Sequence, residues 1–297
     1  MKIRPWFQFF RLPNLPTAPG DALAGAAVVL ALDGGDLHHA LAAGGAALCF
    51  YMHGLADNDI VGAAADMENA PERPIPHGEI SLRTAKIARF LCLLTALLIG
   101  GVCRLPPLWW TVSACLVGTV VCYNRVKGLW WMGGCRGLNV LCGAAAVWTA
   151  GCPWTPAVGA VLCMAMTWTL YIAAVTKLSE GEERESEGLG NRRFLLGGAA
   201  WVPMMACAFF PSPRFLLLPA LGCLWTFVTW CAAVAPLWRA HGPEVRRRAV
   251  GQSIGALLYL QIGFMLVYPH RVILGVVFLL WFAARAIRRV APSISGS

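Results

Sequence analysis

The sequence predicts an all-α integral membrane protein: a bundle of nine to ten transmembrane helices around a central cavity. Three observations carry this. Of 297 residues, 58% are hydrophobic and only 13% are charged, where a soluble domain carries ~25% charged residues. The mean hydropathy is +0.62. Apolar runs near the ~20 residues that cross a bilayer recur along the chain, and they lack the period-two alternation of membrane strands.

The opening "MKIRPWFQFFRLPNLPTAPGD" has no compact apolar core followed by a small-residue cleavage site, so it does not read as a cleavable signal. Residues 1–17 read instead as an amphipathic approach to the membrane. Lys2, Arg4 and Arg11 are suited to lipid head groups, and Trp6, Phe7, Phe9 and Phe10 to the interface. Ten apolar segments follow, at about 18–33, 39–66, 84–103, 107–124, 135–151, 155–178, 194–210, 214–238, 247–268 and 271–288. Pro and Gly punctuate the joins, as at "GG" 34–35, "PP" 106–107, "CPWTP" 152–156, "PSP" 211–213 and "HGP" 241–243. The chain reads as one domain, 1–297, with 271–297 an additional C-terminal helix and tail.

Basic residues orient the bundle. With the N-terminus in the cytoplasm and ten alternating helices, 21 of the 24 Lys and Arg residues fall on the cytoplasmic side, and only Arg104, Arg214 and Arg271 fall outside. The positive-inside rule predicts such a bias, and a wrong helix count would scramble it. The expectation is a multi-pass protein of the cell's inner (plasma) membrane with both termini cytoplasmic. The formal charge of +9 is then a matter of topology, and no nucleic-acid partner is implied. The twelve cysteines are scattered singly, without CxxC or zinc spacing, and read as small buried apolar side chains.

Acidic residues are distributed unevenly. All six aspartates lie in the first 66 residues, and five of the nine glutamates crowd into "KLSEGEERESEGLG" at 177–190. Both clusters fall at cytoplasmic ends of predicted helices. On a helix, Asp59 and Asp66 share one face about 10.5 Å apart along the axis, and the neighbouring Asn58 offers a carbonyl oxygen. Magnesium takes oxygen ligands of this kind, commonly one or two carboxylates plus substrate phosphates. The alternative is that these acids are merely solvated by head-group water. Ionisable residues inside a membrane are functional by default, which favours the metal reading. Glu180, Glu182 and Glu183, at the mouth of the sixth segment, form either a second carboxylate arm or a solvated loop. A third, basic cluster at 120–143 offers Tyr123, Asn124, Arg125, Lys127, Arg136 and Asn139. Arg136 and Asn139 are three residues apart and can point into one cavity, and arginine grips phosphate bidentately. Arg125 and Lys127 read equally well as positive-inside anchors.

These residues carry a resemblance. Asn58-Asp59, then Asp66, then "RPIPHG" at 73–78 resembles the first motif of the UbiA superfamily of intramembrane prenyltransferases, N-D-x-x-D-x-x-x-D followed by R-P-x-x-x-G. "YNRVKG" resembles the family's Y-x-x-x-K signature, and "RLPNLPTAPGDALAG" its first helix. The match in order and spacing spans about residues 11 to 190. The resemblance implies magnesium-assisted transfer of an isoprenoid from a prenyl diphosphate to an aromatic or other lipophilic acceptor within the membrane. It implies Asn58, Asp59, Asp66, Glu180, Glu182 and Glu183 as metal ligands, with Arg73, Lys127 and Arg136 stabilising the departing diphosphate. Asn139, Lys177 and Ser179 would line the substrate site, and Tyr123 or Tyr171 would shield an allylic cation through cation–π attraction.

The chain departs from the family pattern in two places. Gly62 replaces the middle aspartate of the first motif, and no aspartate follows position 66. "TKLSEGEE" stands at the second motif and resembles a divergent branch reading Ser-x-x-Glu, which selects Ser179 and Glu182. Two readings therefore stand: an active magnesium-dependent prenyltransferase, and a scaffold with a decayed metal site that binds or moves a polyprenyl lipid.

Overall fold

The computed structural model describes residues 3–148, 156–179, 217–235, 243–268 and 270–290. Within them lie ten α-helices and one 3-10 turn, and no strand. A short α1 (Arg4–Phe9) leads through the 3-10 turn (Leu12–Asn14) into α2 (Thr17–Leu32), α3 (Leu37–Asn69), α4 (Leu82–Val102), α5 (Pro107–Val126), α6 (Leu129–Val147) and α7 (Pro156–Ser179). After an interval come α8 (Leu217–Val234), α9 (Pro243–Val267) and α10 (Arg271–Val290). Nine of the ten expected segments correspond to α2–α10. The tenth, 194–210, lies outside the described residues, as do Glu180, Glu182 and Glu183.

Local chemistry sets the boundaries. Asp33-Gly34-Gly35 turns α2 into α3, with both glycines at positive φ (80° and 138°), a conformation open to glycine and costly to other residues. Asp36 caps α3 by accepting the His38 N–H, and Ser81 caps α4 by accepting the Thr84 N–H. At 33 residues α3 is the longest helix, about 50 Å at 1.5 Å per residue. That exceeds the ~30 Å hydrocarbon layer, so its acidic end can project beyond the apolar zone.

α6 begins at Leu129, one and a half turns before the expected start at 135. The helix runs through "GG" at 133–134. Gly133 and Gly137 leave no room for a β-carbon against the Thr169 and Ala165 carbonyls of α7. Small residues four apart let membrane helices approach closely. Gly143 likewise abuts the Ala22 carbonyl, and Gly25 the Val140 carbonyl, which brings α2 against α6. Gly143→Val should separate these helices and cost ~1–3 kcal/mol, read as a lower melting temperature in detergent micelles. An unchanged melting temperature would contradict the close approach.

α2 is the centre of the bundle. Every residue from Thr17 to Val29 is buried, and the helix packs against α3, α6, α7, α9 and α10. The opposite pattern holds at the periphery. α4 turns Phe90, Leu91 and Leu98 outward, and α8 does so with Leu224, Trp225 and Val228. Apolar surface of this extent belongs against lipid rather than water. Four described stretches (Leu12–Leu32, Leu82–Val102, Pro156–Ser179 and Arg247–Val267) are long and apolar enough to cross a membrane. The chain is a helical membrane bundle.

The N-terminal aromatics depart from the expected interfacial role. Phe9 is fully buried with Ala56, Ile80 and Ala85, and Trp6 and Phe10 pack on that cluster; Phe7 is exposed. α1 is thereby fastened onto the end of α3 and the following loop.

Candidate functional site

The end of α3 gathers Asp57, Asp59 and Asp66, and each is met by a cation from another element. Asp59 Oδ1 accepts from Arg11 Nη2 at 2.9 Å and from Asn58 Nδ2 at 3.2 Å. Asp66 Oδ2 accepts from Arg73 Nη1 at 2.7 Å. Lys127 Nζ donates to Asn58 Oδ1 and stands 5.3 Å from the centre of the Tyr123 ring. Asn58, Asp59, Asp66, Arg73, Lys127 and Tyr123 thus converge at one place.

Backbone geometry delivers the cations. The loop after α3 is closed by His77 N–H to Arg73 O (2.9 Å), Gly78 N–H to Ile75 O (3.0 Å) and Ile80 N–H to Pro74 O (3.0 Å). Two prolines fix φ within it, and Gly78 takes φ 77°. A folded "RPIPHG" turn therefore aims Arg73 back at Asp66. Arg11 and Lys127 both stand on left-handed backbone, at φ 46° and 53°. Such conformations are uncommon for side chains with a β-carbon and cluster at functional positions. Lys127 also ends α5, its N–H bonded to the Tyr123 carbonyl.

Asp57 faces another way. It accepts from Arg89 at 2.6 Å and from Asn124 at 2.8 Å, and Asn124 also donates to the Gly54 carbonyl. This buried group ties α3 to α4 and α5 and holds the acidic end in place. Around the motif, four cations (Arg11, Arg73, Arg89, Lys127) face three carboxylates (Asp57, Asp59, Asp66), a balance suited to an incoming anion. Desolvation draws the Lys127 ammonium below the ordinary lysine range, as do the cations Arg11 and Arg73, while Asp59 and Asp66 oppose the shift.

The donor set is oxygen only, as a hard cation prefers. Among the described residues no three His, Cys, Asp or Glu side chains converge as a metal cage. Asp59 with Asn58, and Asp66 two turns further on, are oxygen donors about 10.5 Å apart along the axis, so each fits a magnesium ion whose shell substrate phosphates complete, rather than one shared protein-only site. A β-carbon at Gly62 would stand 3.5 Å from Asp66 Oδ2, so the position lacking a carboxylate lies beside Asp66.

Arg136 and Asn139 are engaged elsewhere. Arg136 is 7% exposed; it donates to Asp21 Oδ2 at 2.6 Å and Thr17 Oγ1 at 2.9 Å and stacks 4.9 Å from the Tyr51 ring centre. Asn139 donates to the Ala18 carbonyl at 2.8 Å. Asp21 also accepts from Trp168 Nε1 of α7 and Gln261 Nε2 of α9. The expected pair of phosphate ligands is here part of a polar lock joining four helices. Tyr171 is buried too, its hydroxyl donating to the Ser253 carbonyl at 2.7 Å and its ring packed on Trp230. Ser179 closes α7 by donating to the Thr176 carbonyl, and Lys177 lies in the same last turn.

Sequence reasoning missed two residues. Arg11, taken as a head-group contact, reaches Asp59. Asp21, an acid inside an apolar run, needed a counter-ion, and Arg136 in the fifth segment was the signal for it.

Comparison with known proteins bears on the fold and the family. No curated protein matches the chain by sequence. Among solved structures, a digeranylgeranylglyceryl phosphate synthase superposes with a TM-score of 0.59 at 16% identity, over 90% of this chain and 98% of that one. A UbiA homologue from Archaeoglobus fulgidus bound to GPP and Mg2+ gives 0.51 at 12% identity, over 95% and 99%. The same homologue bound to DMAPP and Mg2+ gives 0.51 at 10% identity, over 93% and 99%. At these identities the likeness concerns the fold. The model of the UbiA prenyltransferase family matches residues 16–242. The chain belongs to the UbiA prenyltransferase family.

Proposed function

We propose that the protein transfers a prenyl group from a prenyl diphosphate to a lipophilic acceptor, with Mg2+ held at Asn58, Asp59 and Asp66. The observation that carries this is the pairing of Asp59 and Asp66 with Arg11 and Arg73, at 2.9 and 2.7 Å, beside Lys127. These cations neutralise the acids while substrate is away. When substrate binds, Arg11 and Arg73 turn from their carboxylates, and Lys127 from the Asn58 amide oxygen, to the diphosphate oxygens, where guanidinium forks bind in bidentate fashion. Magnesium supplies Lewis-acid neutralisation of the charge that develops on the leaving diphosphate. Preorganised cations add to this in proportion to how little they must reorganise. The Tyr123 ring, beside Lys127, offers a π-face to the allylic carbon as positive charge grows there. Exposed apolar flanks leave a route for the prenyl tail into lipid.

Glu180 and Glu182, directly after α7, supply the second carboxylate arm in this reading, and the site faces the cytoplasm, as the distribution of basic residues implies. Gly62 favours a second reading, a scaffold that binds a polyprenyl lipid without turnover. Magnesium-dependent release of diphosphate from a prenyl diphosphate by the purified protein separates the two. In the catalytic reading, inorganic diphosphate and magnesium together raise the melting temperature more than either alone, because both bind only the folded state. Glu182→Gln should reduce that joint effect and Glu187→Gln should not. Equal effects from the two substitutions would remove the second arm from the site.

A further inference from the structure

A second group of basic residues, sharing none with the acidic motif, lines the cleft between α9 and α10. The cavity there, of about 290 Å³, is lined by Tyr259, Trp281, Arg285, Arg288 and Arg289 together with small and apolar side chains. Three guanidinium groups meet in it, and no carboxylate is among its lining residues. Arginines serving only as topological anchors extend outward to water and head groups. Arg288 does the reverse: it is half-buried and turned into the cleft, where Gly255 of α9 leaves no room for a β-carbon beside its guanidinium. Among the described residues no hydrogen-bond acceptor engages it. Arg285 is held in place by aromatic groups, 4.8 Å from the Trp281 ring centre and 3.4 Å from the Tyr259 hydroxyl. Tyr259 is in turn packed against Trp225 and Trp281. Among the described residues no carboxylate pairs with Arg285.

Both helices lie beyond residues 16–242, the part of the chain that the family model matches, and none of the residues lining the cavity belongs to the group at the end of α3. α10 is peripheral and amphipathic, and Phe278, Leu279 and Phe282 are exposed along it. A ligand in the cleft would meet fixed positive charge at one end and lipid-facing apolar surface beside it.

We infer that the α9–α10 cavity binds the phosphate of an anionic phospholipid head group, with the acyl chains lying along the apolar face of α10. The chemistry follows from the groups present: bidentate guanidinium donors match phosphate oxygens, and basic pockets between membrane helices take phospholipid head groups. The test is native mass spectrometry of the full chain, released from vesicles of phosphatidylglycerol mixed with phosphatidylcholine. The wild type should retain phosphatidylglycerol preferentially, and the Arg285→Gln/Arg288→Gln double variant should lose that preference by about tenfold or more. Arg247→Gln/Arg248→Gln, which removes two exposed arginines of α9 outside the cavity, should retain it. Competition by inorganic phosphate distinguishes the sources: displacement only at high excess supports a lipid head group, and equal binding without lipid would overturn it in favour of a free phosphate. Should the cavity variant fail to assemble, the wild-type competition still decides. No preference between the two lipids, or equal loss in both double variants, would overturn the inference.

Discussion

Arg136→Ala should destabilise the folded bundle by about 3–5 kcal/mol, the range for removing one partner of a buried ion pair. Asp21 is fully buried, and without Arg136 its charge would face only the Trp168 and Gln261 donors. The effect is to be read as thermal melting in detergent micelles, with helix content by circular dichroism as the check on residual structure. Asp21→Asn should cost less than Arg136→Ala only if a guanidinium is cheaper to leave unpaired than a carboxylate. Replacing both residues together by apolar side chains of similar volume should recover much of the loss, because the two effects couple through one contact. A melting temperature unchanged in Arg136→Ala would mean that the lock contributes nothing.

Asp66→Ala or Asp59→Ala should abolish measurable turnover, a loss of about a thousandfold if each acts as a preorganised electrostatic group. Asp66→Ala should leave the fold nearly intact, and Asp59→Ala, whose carboxylate is buried against Arg11, should cost more than Asp66→Ala. The stability side follows from exposure. The Asp66–Arg73 pair has side chains 14% and 32% exposed, and partly solvated pairs of this kind contribute ~0–1 kcal/mol. Asp57→Ala provides the contrast. Its carboxylate is buried between Arg89 and Asn124, so its removal should lower the melting temperature more than either of the other substitutions. Measured diphosphate release together with melting temperature for the three variants sorts the acids into the two classes. Full activity in both Asp59→Ala and Asp66→Ala would end the metal assignment.

The family and the helical bundle were legible because both rest on local or near-local pattern. Apolar run length marks the spans, and the acidic motif, its "RPIPHG" turn and "YNRVKG" all lie within single elements or adjacent ones. Convergence of Asp59, Asp66 and Arg73 followed from that spacing, whereas Lys127, 69 positions from its partner Asn58, read equally well as an anchor and was placed with them only by the family resemblance. Residues whose roles depend on distant partners were harder to read. Arg136 looked free for phosphate because its partner Asp21 is 115 positions away. Tyr171 looked free for a carbocation because the Ser253 carbonyl that occupies its hydroxyl is 82 away. The start of α6 at Leu129 rather than 135 was hidden because Gly133 interrupts the apolar run, and its reason, the close approach of the Thr169 carbonyl, lies on α7. The aromatics of α1 have the composition of an interfacial segment; tertiary packing on Ala56 and Ile80 drew Phe9 inward.

The span of the polar lock has a consequence for biosynthesis. Asp21 lies on the first long helix to leave the ribosome, whereas Arg136, Trp168 and Gln261 follow 115, 147 and 240 residues later. At ~5–20 residues per second, the guanidinium arrives roughly 6–23 s after the carboxylate and the α9 amide some 12–48 s after it. Throughout that interval an unpaired acid is unfavourable in lipid. The contacts that seat the first helix at the bundle centre are therefore completed only after the later helices have been made.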